Sequence, residues 1–356
     1  MRTTLRIGLL ALLLLALCTA AVARNVDGTL GLIRQPISTV PTIVLAGDSF
    51  TITIAAAAPV TDVRAALYRG TEQVDLPRVM DEKGMTPIGG LVSVKVPVPK
   101  DTAAGLYGLS VMARAGTRFD DTAERAVRVY REWPRQYRFA HLTDVHIGKP
   151  IAPYAAQVFH RTAQQLNRQG VDFAVITGDL TEYADPQQFR TFISELDTFA
   201  MPTFCIPGNH DRGGSGGFGS KSPYEDYCGP ANYSFDFGSH RYLGWDTRWE
   251  DEFLVYQPYK SWLEKELARP KPSFGMAFSH RISEEEYAWF QERLPASNYQ
   301  VFFYGHTHDD EMSWIGAKRL LLLNTSHEYA GTYNVLTVEG DQLKRIEHTH
   351  VSAVPQ

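Results

Sequence analysis

A chain of 356 residues, 44% hydrophobic and 21% charged, has the make-up of an ordinary globular protein and length enough for two domains. Its net charge of −5, with no basic run, excludes an electrostatic grip on a nucleic-acid backbone. A substrate must instead be held by a few local charges or by bound ions.

Residues 1–23 read as an export signal. Arg2 and Arg6 give a positive start, residues 7–17 an unbroken apolar run, and Ala21-Val22-Ala23 the small residues of a cleavage site. The run is short for a membrane span, so the mature chain is expected without one, in the periplasm or secreted. A lipoprotein anchor at Cys18 fits less well, because Leu17 is bulky where a small residue is required. Removal of the signal leaves Cys205 and Cys228, a pair that export permits to bridge. Cys205 also reads as a buried thiol within Thr203-Phe204-Cys205-Ile206, and neither cysteine has zinc-site spacing.

Residues 24–132 have a β pattern without helices. Segments 49–54 and 92–96 alternate at period two, 103–112 and 126–130 read as the last strands, and Gly, Pro and Asp clusters lie between. Such a run of short strands has the size of an immunoglobulin-like sandwich, although the Cys…Trp…Cys core of a true immunoglobulin domain is absent. Roofing a cleft, dimerising and spacing are all open roles for it.

The charged, Pro-containing stretch 131–138 marks a boundary. From 139 to 350 the texture becomes α/β: strands at 139–143, 171–177 and 203–206 alternate with helices at 154–169 and 186–200. A strand at 233–237, a helix near 259–267, strands at 275–279 and 301–304, and closing strands from 320 onward follow.

Polar residues directly follow five of these strands: Asp144 and His146; Asp179; Asn209, His210 and Asp211; His280; and His306 with His308. Strand ends are where loops of an open α/β sheet converge on a ligand. A lone Asp-x-His reads as a surface loop and a lone Gly-Asp as a turn. Five such pieces at strand ends, with clustered imidazoles that are costly to bury unpaired, read as a metal centre built without thiolate.

Together these motifs resemble the calcineurin-like metallophosphoesterase superfamily, over the whole of 139–350. The resemblance implies a four-layer α/β/β/α sandwich holding two metal ions of the Mn, Fe or Zn type. It implies Asp144, His146 and His308 on the first metal, Asn209, His280 and His306 on the second, and Asp179 bridging. Two cations roughly 3.5–4 Å apart neutralise phosphoryl oxygens and turn a bridging water into a hydroxide nucleophile. His210, beside a ligand but not one itself, is placed to protonate the leaving group. Glu182 stands where relatives keep an acidic residue near that histidine; it also reads as a solvated carboxylate at a helix start.

Two departures from the family pattern matter. Arg281 follows His280 where relatives commonly run into proline, and Arg281 and Arg212 are rival candidates for a phosphate clamp. Glu182, not tyrosine, stands three residues after Asp179, which argues against the purple acid phosphatases. The Gly-rich 213–219 stretch lacks the lysine and helix of a P-loop and reads as a loop at the rim. His327 and the His348-Thr349-His350 run read as structural and surface residues, and His160 and His240 have no evident partner.

The expected activity is hydrolysis of a small-molecule phosphodiester, closest to the cyclic-nucleotide phosphodiesterase branch. The alternatives are a phosphomonoesterase with the same machinery and a binding protein with a retired site. The last would show a missing ligand, and none is missing.

Overall fold

Alternating strands in a first segment and a helix-strand rhythm in a second give two β-rich units. The computed structural model describes residues 24–213, 222–246, 257–282 and 284–352, so the expected export signal lies outside the described residues.

The first unit contains β1 (Ile33–Gln35), β2 (Thr42–Leu45), β3 (Ser49–Ala55), β4 (Val60–Arg69), β5 (Glu72–Asp75), β6 (Val79–Met85), β7 (Leu91–Pro97), β8 (Gly105–Ala115) and β9 (Thr117–Tyr130). A three-stranded sheet, β1-β3-β7, accompanies a six-stranded one in the order β2-β9-β8-β4-β5, with β6 on β4. Period-two alternation sends Phe50, Ile52 and Ile54 of β3 and Val92, Val94 and Val96 of β7 into one core with Leu109, Val111 and Val127.

The second unit runs β10 (Gln136–Leu142), α1 (Ala155–Gln169), β11 (Phe173–Thr177), α2 (Pro186–Leu196), β12 (Thr203–Ile206), α3 (Ser222–Cys228), β13 (Tyr233–Phe237), β14 (His240–Gly244), α4 (Gln257–Leu267), β15 (Phe274–Phe278), α5 (Glu284–Ala296), β16 (Tyr299–Tyr304), β17 (Glu311–Ile315), β18 (Leu320–Asn324), β19 (Thr332–Glu339) and β20 (Gln342–His350). One sheet has the order β12-β11-β10-β19-β20, the other β13-β14-β15-β16-β18-β17.

Alternation along the strands sets the layers. Phe139, Phe173, Val175 and Phe204 point between the sheets to meet Tyr242, Met276, Phe278 and Phe303. Their neighbours Ala140, Leu142, Ala174 and Ile176 point outward to Phe159 of α1 and Phe189 and Phe192 of α2. On the far sheet Ala277, Phe302 and Leu322 pack under Leu263, Phe290 and Leu294 of α4 and α5. The order is therefore helices, sheet, sheet, helices. Phe139 stacks on Phe173 at 5.0 Å and meets Tyr242 edge-on at 5.5 Å across the layers. Each such buried ring contributes about 1.5–3 kcal/mol of transfer free energy.

Helix α1 buries Ala155, Val158, Phe159, Thr162, Ala163 and Leu166, one face at 3.6-residue spacing, and ends where left-handed Gly170 returns its N–H to Leu166. Asp185 caps α2 by accepting from the N–H groups of Gln187 and Gln188.

The units are joined by buried polar contacts. Arg125 donates to the carbonyls of Phe199 (2.7 Å) and Met201 (2.6 Å), and Cys205 N–H to Thr39 O (2.8 Å). Cys205 and Cys228 are both buried free thiols, which answers the open question of a bridge.

Candidate metal centre

Because β10, β11, β15 and β16 run parallel to their neighbours β11, β12, β16 and β18, their carboxyl ends open on one edge of the sandwich. That edge receives all of the residues expected there. Asp144, His146, Asp179, His306 and His308 adopt left-handed backbone conformations, with φ of 55°, 49°, 50°, 73° and 63°. Left-handed backbone costs an L-residue roughly 1–2 kcal/mol, so such a cluster persists only where its surroundings enforce it, and it marks a functional site. The enforcement is visible: Asp144 N–H donates to Gly178 O (3.0 Å), His146 N–H to Asp179 O (2.8 Å), and His306 N–H to the Asp144 carboxylate (3.0 Å). A Cβ on Gly208 would strike Asp179, and one on Gly305 would strike Thr143 and Asp144, so both positions need glycine for close approach.

Two donor sets meet at Asp179. In the first, Asp144 Oδ1 lies 3.6 Å from His146 Nε2 and 3.1 Å from His308 Nε2. In the second, His280 Nε2 lies 3.1 Å from Asn209 Oδ1 and 3.3 Å from His306 Nδ1. Asp179 Oδ2 reaches both, 3.5 Å from His146 Nε2 and 3.2 Å from His280 Nε2. Groupings of Asp144, His146 and His308 and of Asp179, His280 and His306 each bring their donor atoms within 4.8 Å of one another.

These atoms fit a pair of cations. His280 Nδ1 donates to Thr177 O (2.7 Å), which leaves its Nε2 lone pair facing the oxygens of Asp179 and Asn209. His146 Nδ1 donates to Glu182 Oε2 (2.7 Å), and its buried Nε2 has no hydrogen-bond partner. Converging lone pairs and an orphaned buried nitrogen demand positive charge between them. Donors sharing an ion at about 2.0–2.2 Å stand about 3.0–3.6 Å apart, which matches the spacings. The electrostatics of the site carry the same demand. Burial works against charge on His280, yet Asp179 and Asp144 outweigh it and raise its pKa to about 9. Burial together with His280 pushes His306 down to about 4.

His210 stands beside both sets. Its backbone N–H donates to Asp179 Oδ1 (2.9 Å) and its Nδ1 to the Glu182 carbonyl (2.8 Å), so the ring is fixed and Nε2 is free to carry a mobile proton. The Glu182 carboxylate belongs mainly to His146 and to Lys149 (3.2 Å), standing 3.8 Å from His210 Nδ1. It thus orients a donor of the first set, where the sequence suggested a partner for His210. Arg212 is buried with its guanidinium on Asp246, so a charge suggested as a phosphate clamp is already neutralised. Arg281 is half-buried and near enough to His306 to oppose its charging.

Asp211 was legible in the strand-end cluster with Asn209 and His210, but its role, like that of Tyr329, depends on partners the sequence does not place beside it. Asp211 is buried and accepts from Gly208 N–H (2.9 Å), Leu180 N–H (3.0 Å) and Thr181 N–H (2.8 Å), tying the β11 and β12 loops together. Burial, with Asp179 adding to it, raises its pKa to about 6. The Tyr329 hydroxyl lies 3.4 Å from His308 Nδ1, and its ring stacks on His327 at 4.2 Å. His160 and His240 do have partners, Glu195 (2.8 Å) and Tyr137 (2.8 Å). His348 is exposed on β20, and residues 214–219 of the Gly-rich stretch lie outside the described residues.

Residues 137–310 match the family model of the calcineurin-like phosphoesterases. The chain is 23% identical over 218 residues to the 3',5'-cyclic adenosine monophosphate phosphodiesterase CpdA of Haemophilus influenzae, covering 53% of this chain and 76% of that protein. A shorter match to the DNA double-strand break repair protein Mre11 of Archaeoglobus fulgidus is 33% identical over 87 residues, covering 21% of this chain and 19% of that one. Among solved structures, a purple acid phosphatase from yellow lupin seeds superposes with a TM-score of 0.55 at 15% identity, covering 85% of this chain and 70% of that chain. That is a likeness of fold alone, and it is long enough to take in part of the N-terminal strands.

Proposed function

We propose that the chain, whose residues 137–310 match the model of the calcineurin-like phosphoesterases and which is a metal-dependent phosphoric ester hydrolase, acts as an exported two-metal phosphodiesterase of small substrates. The observation that carries this reading is the junction of two donor sets at Asp179. Asp144, His146 and His308 would hold one cation, Asn209, His280 and His306 the other, with Asp179 common to both. When bound, the pair would neutralise phosphoryl oxygens and acidify a water for in-line attack.

The chain's own residues supply the rest. His210, fixed through Nδ1 by the Glu182 carbonyl, presents Nε2 to the departing oxygen and gives it a proton. Asp179 Oδ1, accepting the His210 N–H, sets the distance between acid and donor sets. Glu182 fixes the tautomer of His146 and stands 3.8 Å from His210 Nδ1. The preference for diesters is supported by likeness to a cyclic-nucleotide phosphodiesterase. Export rests on residues 1–23, and the N-terminal unit, with a three-stranded sheet and a six-stranded one, is read as an immunoglobulin-like sandwich.

Assaying chromogenic mono- and diesters with added manganese, zinc or iron tests the proposal. Faster turnover of the diester is expected. Exclusive hydrolysis of monoesters would overturn the diester reading, and failure of every ester with two metals bound would overturn the enzymatic one.

A further inference from the structure

A groove of about 790 Å³ runs along the open side of the catalytic sandwich, from the starts of the parallel strands to Met312 and His348 nearer the metal centre. Its lining includes Phe274, Gln300 and Arg319, at the starts of β15 and β16 and just before β18, whereas His280, His306 and Thr325 follow the ends of those strands. Strands of five or six residues at about 3.3 Å per residue separate the two places by roughly 15–20 Å. The floor is the inter-sheet core itself, Phe274, Val301 and Leu321. The walls are β17 and β20, the edge strands of the two sheets.

Three properties of this groove converge. An edge strand leaves alternate backbone N–H and C=O groups without a neighbouring strand. Exposed Lys318, Arg319, Lys344 and Arg345 line it and no carboxylate does, although the chain as a whole is acidic. Glu347, the nearest acid on β20, turns to Arg345 (3.1 Å) and Arg138 (3.3 Å). Trp314 and Met312 of β17 are 52% and 60% exposed at its rim, with Arg319 over the Trp314 ring at 5.0 Å.

We infer that the groove is a docking site for an extended acidic peptide segment, which adds as a strand to the β20 edge. Alternate carboxylates would meet the lysines and arginines, and the intervening apolar side chains would cover Trp314, Met312 and the core floor. This joins main-chain pairing for affinity to side-chain charge for selection. The site would tether the hydrolase to an acidic partner protein and leave the metal centre open.

The test uses the full chain and a fluorescently labelled nine-residue peptide alternating glutamate and valine, followed by anisotropy. Saturable binding is expected, weakening as salt rises and falling at least tenfold in K344E/R345E, with phosphodiester hydrolysis unchanged in that variant. An equally strong interaction with a proline-interrupted peptide of the same charge would overturn strand addition. Equal binding of a lysine-valine peptide, no binding of the acidic one, or attachment only to phosphatidylglycerol vesicles would overturn the acidic-peptide assignment.

Discussion

The two donor sets around Asp179 are built from the same residue types but supported differently. In the first, side chains do the supporting: the Glu182 carboxylate grips His146, and the Tyr329 hydroxyl sits by His308, whose side chain is 32% exposed. In the second, the backbone does it: the Thr177 carbonyl holds His280, whose side chain is only 2% exposed. A carbonyl cannot be substituted away, so the support of His280 in the second set resists mutation. The first set can be tuned by single replacements that leave every ligand in place. Asp179 is where the difference disappears, since one of its oxygens faces both.

The severest test of that comparison is Asp179→Asn. Metal content should fall from about two per chain to below one, the two-metal arrangement being lost. Turnover should drop by at least about 10³-fold, as when a principal electrostatic group is removed. Retention of two metals, measured by elemental analysis, would show that the sets are independent. Next in size is His210→Ala, which should keep both metals yet lose roughly 10²–10⁴-fold in rate. The loss should be small for nitrophenyl esters, which leave unaided, and large for alkyl or ribose leaving groups. Equal slowing of both would remove His210 from the acid's role.

Glu182→Gln then separates the sets from each other. Chelator-competition titration should show the first metal weakened about 10–100-fold and the second unchanged, the usual worth of an outer-shell partner. Parallel weakening would mean that Glu182 serves the whole site. The smallest effect concerns a carboxyl outside both sets. Glu328 is fully buried, and burial raises its pKa from 4.5 to about 8, with only a hydroxyl from Thr162 in return. Between those two values the native state keeps a proton that the unfolded state has released, so stability falls as pH rises from 4.5 toward 8. Glu328→Gln cannot titrate. Its melting temperature should match the parent near pH 5 and exceed it by a few degrees at pH 8. A constant offset across that range would mean that Glu328 is not the group responsible.

The strands that carry the donors were legible because each is a short apolar run ended by a polar cluster, with Gly between the two in three of them, as at Gly178 before Asp179. Elements without that contrast were not. Strand β6 mixes apolar and charged residues along VMDEKGM and buries none of them fully, and α5 combines a glutamate-rich start with an internal Pro295. The same holds within the site. His280 and Asp211 both announced themselves at strand ends, but the backbone contacts of Asp211 and the ring contacts of Tyr329 follow no local pattern.

Sequence by itself determined which side chains could donate to a cation and that they would stand at strand ends, because period and punctuation are local properties. It also supplied the glycines that permit close approach. Only the tertiary structure decided which donors face each other, which nitrogen of each ring is left free, and that Glu182 serves His146 first. Those outcomes depend on sheet register between distant segments: Thr177 and His280 are 103 residues apart, yet one 2.7 Å hydrogen bond between them fixes the tautomer.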